Sequence, residues 1–115
     1  MFENWRIYKP FATAQATVAY GEIKNIGSQA IKIQSIQCNC AKSTFFHQMI
    51  EENGKLRMQT WNEILLAPSQ KVILEPGKNH VMLFDFAETG QGCELTIKAE
   101  GLSQISFKTP VIERE

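Results

Sequence analysis

Two His-x-Met triplets, His47-Gln48-Met49 and His80-Val81-Met82, with Met58 between them, are the residues of this chain whose types and spacing could do chemistry. In an extended strand, side chains two apart point to the same side, so each triplet presents an imidazole and a thioether together on one face. Each triplet is therefore a metal-ligand arm. Imidazole is a borderline ligand and thioether a soft, neutral one, so a site built from both, without carboxylate or thiolate, selects Cu(I) over zinc, magnesium or calcium. No donor carries charge, so such a site withstands mild acid better than a thiolate site does, until the histidines protonate. A donor set of this kind suits a carrier that must release its metal as well as hold it. Taken singly, an inward Met is ordinary core filler and a lone His an ordinary hydrogen-bonding group. Convergence of the whole set on one point is what would make a metal site of them.

The elements between the arms must supply that convergence. Glu51-Glu52-Asn53-Gly54-Lys55 contains Asn-Gly flanked by apolar alternation, the strongest short-range hairpin signal. A two-residue turn at Asn53-Gly54 sets Met58 directly across from Met49. Facing depends on whether the loop length is even, and an even loop gathers His47, Met49 and Met58 on one surface.

The rest of the chain also reads as strands. Residues 5–9 form a short one, 10–14 a connection, and 17–26 a second strand ending at the turn 25–28. Residues 30–37 alternate, with a slip near Ser35 that fits a bulge. The hairpin strands span 43–50 and 55–59. Residues 61–67 are ambiguous between loop and a short turn of helix. Residues 70–74 form a strand closed by Glu75-Pro76-Gly77-Lys78, whose Pro-Gly order suits a type II turn. The second arm lies on a strand at 80–86, 88–92 is a loop, and 94–99 pairs with 104–109 about Glu100-Gly101. The tail at 112–115 is expected to fray. Eight or nine short strands with turn signals and no convincing long helix indicate an all-β antiparallel sandwich, one domain over residues 1–115.

Composition narrows the function classes. Lys and Arg number 12, Asp and Glu 12, and no run of either sign occurs, which removes the electrostatic footprint of a nucleic-acid binder and any polybasic membrane patch. No apolar run approaches the roughly twenty residues of a membrane span, and the first residues lack the pattern of a secretory signal. Neither an acid pair in a pocket context, a Ser-His-Asp order nor a phosphate loop is present, and both histidines are already assigned, so no enzyme is expected. Cys38 and Cys40 are too close along an extended chain to bridge each other, so a disulfide would join one of them to Cys93. The alternatives are small buried side chains or a Cys-x-Cys thiolate pair for a soft metal.

Ten residues separate His47 from Met58, twenty-one separate Met58 from His80, and one separates His80 from Met82. This resembles the His-x10-Met-x21-His-x-Met signature of the periplasmic copper chaperones called PCu(A)C. The context is similar too. Ala19-Tyr20 leading to Lys24-Asn25-Ile26-Gly27 looks like the family's early Tyr strand and Asn-x-Gly turn, and Pro76-Gly77-Lys78-Asn79-His80-Val81-Met82-Leu83 its Pro-Gly-x-x-His-x-Met-Leu segment. The likeness runs from about residue 5 to residue 111. It implies a cupredoxin-like β-sandwich binding Cu(I) through His47, Met58, His80 and Met82, with Met49 an auxiliary ligand at the lip. It further implies a periplasmic mature form delivering copper toward cytochrome c oxidase, to a subunit of that enzyme or a Sco-like protein. The three cysteines, and residues 88–93, depart from the family pattern.

Two rival readings share the sandwich. A blue-copper electron carrier needs a thiolate closely followed by His and Met, yet Cys93 comes after both histidines. An immunoglobulin-like binding or adhesion module, with a bridge to Cys93 and no metal role, is the alternative from a different class.

Overall fold

The computed structural model describes residues 2–11 and 14–113; of the expected connection at 10–14, Ala12 and Thr13 lie outside them, as do Arg114 and Glu115 of the tail. Among the described residues there are eleven strands and no helix. They are β1 (Phe2–Tyr8), β2 (Ala16–Lys24), β3 (Ile31–Cys38), β4 (Ser43–Glu52), β5 (Lys55–Thr60), β6 (Ile64–Leu66), β7 (Lys71–Leu74), β8 (His80–Phe84), β9 (Cys93–Ala99), β10 (Ile105–Thr109) and β11 (Val111–Ile112). One sheet runs β11-β1-β2-β8-β4-β5, with β7 also on β2; the other runs β10-β9-β3-β6.

The pleat explains why these segments pair as they do. Along β2 and β8 every second residue is buried, and Ala19, Ile23, Val81 and Leu83 face Ile33, Ile36, Leu95 and Ile97 of the other sheet in one core. The register shift expected near Ser35 falls between Ile33 and Ser35. In β1 a comparable shift between Glu3 and Arg6 turns the Trp5 indole inward over Gly21, where a Cβ would lie 2.2 Å from Trp5 Cδ2.

Two expectations need correction. Residues 61–67 are neither loop nor helix throughout: Ile64 and Leu66 are buried and Leu65 is 67% exposed, so three residues suffice to pair with β3 as β6. Asn25, only 2% exposed, anchors that edge by donating from Nδ2 to the carbonyls of Leu66 and Gln29. Part of the expected frayed tail is ordered, because Ile112 pairs with Tyr8 in the parallel β1–β11 ladder and Glu113 meets Lys9 at 2.7 Å. These two additions account for eleven strands where eight or nine are expected. For the cysteines the disulfide is realised between Cys40 and Cys93, and Cys38 is a buried free thiol whose pKa burial pushes up.

Two features of the frame position the two His-x-Met arms. Strand β4 lies between β5 and β8, so hairpin and second arm share one sheet. Strands β7 and β8 follow each other along the same edge of β2, β7 against residues 21–24 and β8 against residues 16–19. The turn between them loops out and delivers His80 as the first residue of β8.

Candidate metal centre

The turn at Asn53-Gly54 forms as its sequence demands. Both central residues take positive φ, 54° and 78°, as a two-residue hairpin turn requires. Met49 is consequently opposite Met58 and His47 opposite Thr60. On the other side of β4, His47 is opposite His80 and Phe45 opposite Met82. The intervening residues Phe46, Val81 and Leu83 point into the core. By the alternation of the pleat, His47, Met49, Met58, His80 and Met82 therefore share the outward face of the larger sheet.

The two imidazoles meet there. His47 and His80, distant in sequence, have ring centroids 5.6 Å apart with planes inclined by 60°. His80 Nδ1 lies 3.0 Å from the Lys78 carbonyl oxygen; a carbonyl can only accept, so Nδ1 carries the proton and Nε2 keeps its lone pair. Burial, and then the neighbouring charge of His80, hold His47 below the ordinary imidazole pKa. It stays neutral and able to ligate further into acid than a free imidazole. Among the described residues no three His, Cys, Asp or Glu side chains converge, so further donors to an ion at this pair would be thioethers.

The thioethers surround the pair unequally. Met82 stands two residues beyond His80 on the same face and is a diagonal neighbour of His47; Met58 is a diagonal neighbour of His47 from the other strand. Diagonal positions are about 7–8 Å apart, within reach of long side chains. Met58 and Met82 themselves lie on strands separated by β4, about 10 Å across and about 13 Å along the sheet. They approach the imidazoles from opposite corners and reach one ion only by extending inward. Met49 sits between Met58 and the histidines. Its amide points toward β8, so the Met49–Met58 pair is of the closer, non-hydrogen-bonded type, with Cα atoms about 4.5 Å apart.

The face is open and apolar. Met58 is 37% exposed and Phe45 45% exposed, and Phe45 packs edge-on against Phe84 beside Met82. Farther along the same face Arg6 lies over the Tyr20 ring at 5.5 Å. An open groove of about 600 Å³ between β3 and β4 is lined by Cys38, Phe45 and Trp61 among others; neither imidazole lines it. Cys38 lies on β3 in the other sheet and Cys40 and Cys93 are bonded to each other, so the thiols stand outside the imidazole–thioether group. Asn79, by contrast, touches the site through the Met49 amide. Nothing in the spacing motif points to it; the available signal is an amide side chain between a Pro-Gly turn and His80.

Comparison with known proteins agrees with this architecture. The family described as "Putative lipoprotein LpqE-like" matches residues 1–111. A protein of Leifsonia xyli subsp. xyli (strain CTCB07), named "Putative lipoprotein Lxx21020", is 28% identical over 99 residues, covering 83% of this chain; the chain spans only 60% of that relative's length. Among solved structures, the copper-bound PCuAC domain from PmoF2 superposes with a TM-score of 0.78 at 19% identity, over 98% of this chain and 92% of that one. The apo PCuAC domain from PmoF1 gives 0.76 at 22% identity with the same coverages. The fold is thus the cupredoxin-like β-sandwich of PCuAC domains.

Proposed function

This chain belongs to the LpqE-like family, and on that premise we propose that it is a metallochaperone that binds one Cu(I) on the outward face of its larger sheet. His47 and His80 supply imidazole nitrogen, Met58 and Met82 supply thioether sulfur, and Met49 stands in reserve beside Met58. The observation that carries the reading is the imidazole pair at 5.6 Å with thioethers on the diagonals around it. Neutral, soft donors hold a monovalent soft ion without a charge change in the protein. Partial exposure of Met58 lets a receiving protein approach from solvent and replace donors one at a time.

Relatives named as lipoproteins support work outside the cytoplasm, and the resemblance to PCu(A)C chaperones supports a periplasmic carrier. The same resemblance points to the copper centre of cytochrome c oxidase as the destination, through one of its subunits or a Sco-like protein. Cu(I) titration under reducing conditions, in competition with a Cu(I) chelator, tests the binding, and X-ray absorption counts the neighbours. One equivalent with two nitrogens and two sulfurs is expected, and the double variant His47→Ala, Met82→Ala abolishes it. Full Cu(I) affinity in that variant would overturn the metal assignment and leave the adhesion module as the reading to pursue.

A further inference from the structure

The ladder between β4 and β8 ends at His47↔His80. Beyond it, the Met49 amide still points toward β8, where the chain has already entered the turn and no strand carbonyl follows. The acceptor that fills this place is the side chain of Asn79: Met49 N–H donates to its Oδ1 at 2.8 Å. An end rung is where a ladder opens first, and the end rung here is the pair of imidazole residues. We propose that Asn79 is a positioning residue for the copper site, its side chain supplying the rung that holds His80 against His47. The inference rests on the reading of this face as a Cu(I) site.

The turn is built to pass that constraint to the ring. Gly77 has φ of 79°, the Lys78 amide donates to the Glu75 carbonyl at 3.1 Å, and the Glu75 amide donates to the Asn79 carbonyl at 2.9 Å. The loop is thereby closed on itself, and its Lys78 carbonyl accepts from His80 Nδ1. What remains is to fix the closed loop to β4, and the described hydrogen bond across that gap is the one from Met49 to Asn79. Alanine at 79 would leave the Met49 amide without its acceptor and His80 held by its own ladder contacts alone. Aspartate would keep an acceptor of the same length. The Pro-Gly-x-x-His-x-Met-Leu pattern leaves position 79 open, so the device belongs to this chain and not to the pattern.

The test uses the whole chain with Asn79→Ala and Asn79→Asp. Loss of a group that orients a metal ligand lowers affinity by about 10–100-fold, and that loss is expected for Asn79→Ala in Cu(I) competition, with Asn79→Asp recovering most of it. Hydrogen exchange at the Met49 amide should be slow in the parent and in Asn79→Asp and fast in Asn79→Ala, with the amides of Val81 and Leu83 unchanged in all three. Parent-like Cu(I) affinity in Asn79→Ala overturns the proposal, as does an Asn79→Asp no better than alanine. An Asn79→Ala protein that fails to fold overturns it too, since the bond is then a general support. A parent that takes up no Cu(I) sinks the metal reading itself, and the exchange measurement still reports on its own whether Asn79 holds the rung.

Discussion

Gly54→Val probes the link from turn to metal. Gly54 has φ of 78°, and a Cβ built there meets nothing within 4 Å, so the substitution costs backbone strain alone. Placing an L residue in the left-handed region costs about 1–2 kcal/mol, with a β-branched side chain toward the upper end. That energy must fall on whatever gives way first. Strand β5 is exposed along its whole length and, among the described residues, pairs only with β4, so it carries little buried apolar area of its own. Its Arg57–Glu52 ion pair is exposed on both sides and adds little. Opening of β5 is therefore expected to become about 5–30-fold more frequent, while β4 and β8 stay paired. Hydrogen exchange should accelerate by that factor at residues 55–60 and stay constant at 80–84. The melting temperature should hardly move, whereas a cost borne by global unfolding would lower it by about 4–8 °C per kcal/mol in a domain near this size. Cu(I) affinity falls by no more than the opening factor, because the imidazoles lie on the strands that stay closed. Uniform acceleration across the sheet with a full drop in melting temperature would refute the claim that the hairpin is an independent unit, and unchanged exchange at 55–60 would refute the strain argument.

Other expectations are simpler. Gly21→Ala drives a Cβ to 2.2 Å from the buried Trp5 indole, in strand interior with no room to yield; overpacking costs about 1–3 kcal/mol, read as a lower denaturation midpoint, and an unchanged midpoint would mean that Trp5 moves aside freely. Replacing Cys40 and Cys93 by Ser opens a link across 53 residues, which chain entropy values at about 4 kcal/mol. Stability under oxidising conditions should fall accordingly while Cu(I) affinity stays level; a parallel loss of copper would bring the cysteines into the site.

Much of this protein is decided locally and can be read directly. The pleat puts His80 beside Met82 and His47 beside Met49, and Asn53-Gly54 with positive φ at both positions places Met58 opposite Met49. Parity across a two-residue turn needs no distant contact, which is why the hairpin arm was legible to its register. The donor chemistry, and with it the proposal of a soft monovalent ion, likewise rests on residue types. Short or distant pairings behave otherwise. Three residues at β6 and two at β11 carry too few alternations to announce themselves; they are strands because β3 and β1 offer edges to them. Cys40 and not Cys38 reaches Cys93 because Cys38 is still paired in β3, opposite Leu95, while Cys40 has left the strand. The meeting of His47 with His80 is of the same kind. It requires β4 to choose β8 as its second neighbour, a choice set by two sheets closing over a common core, and only then does Asn79 find the Met49 amide waiting beyond the last rung. Local geometry determined which side chains face together on each arm, and the burial of the two sheets against each other decided which arms stand side by side.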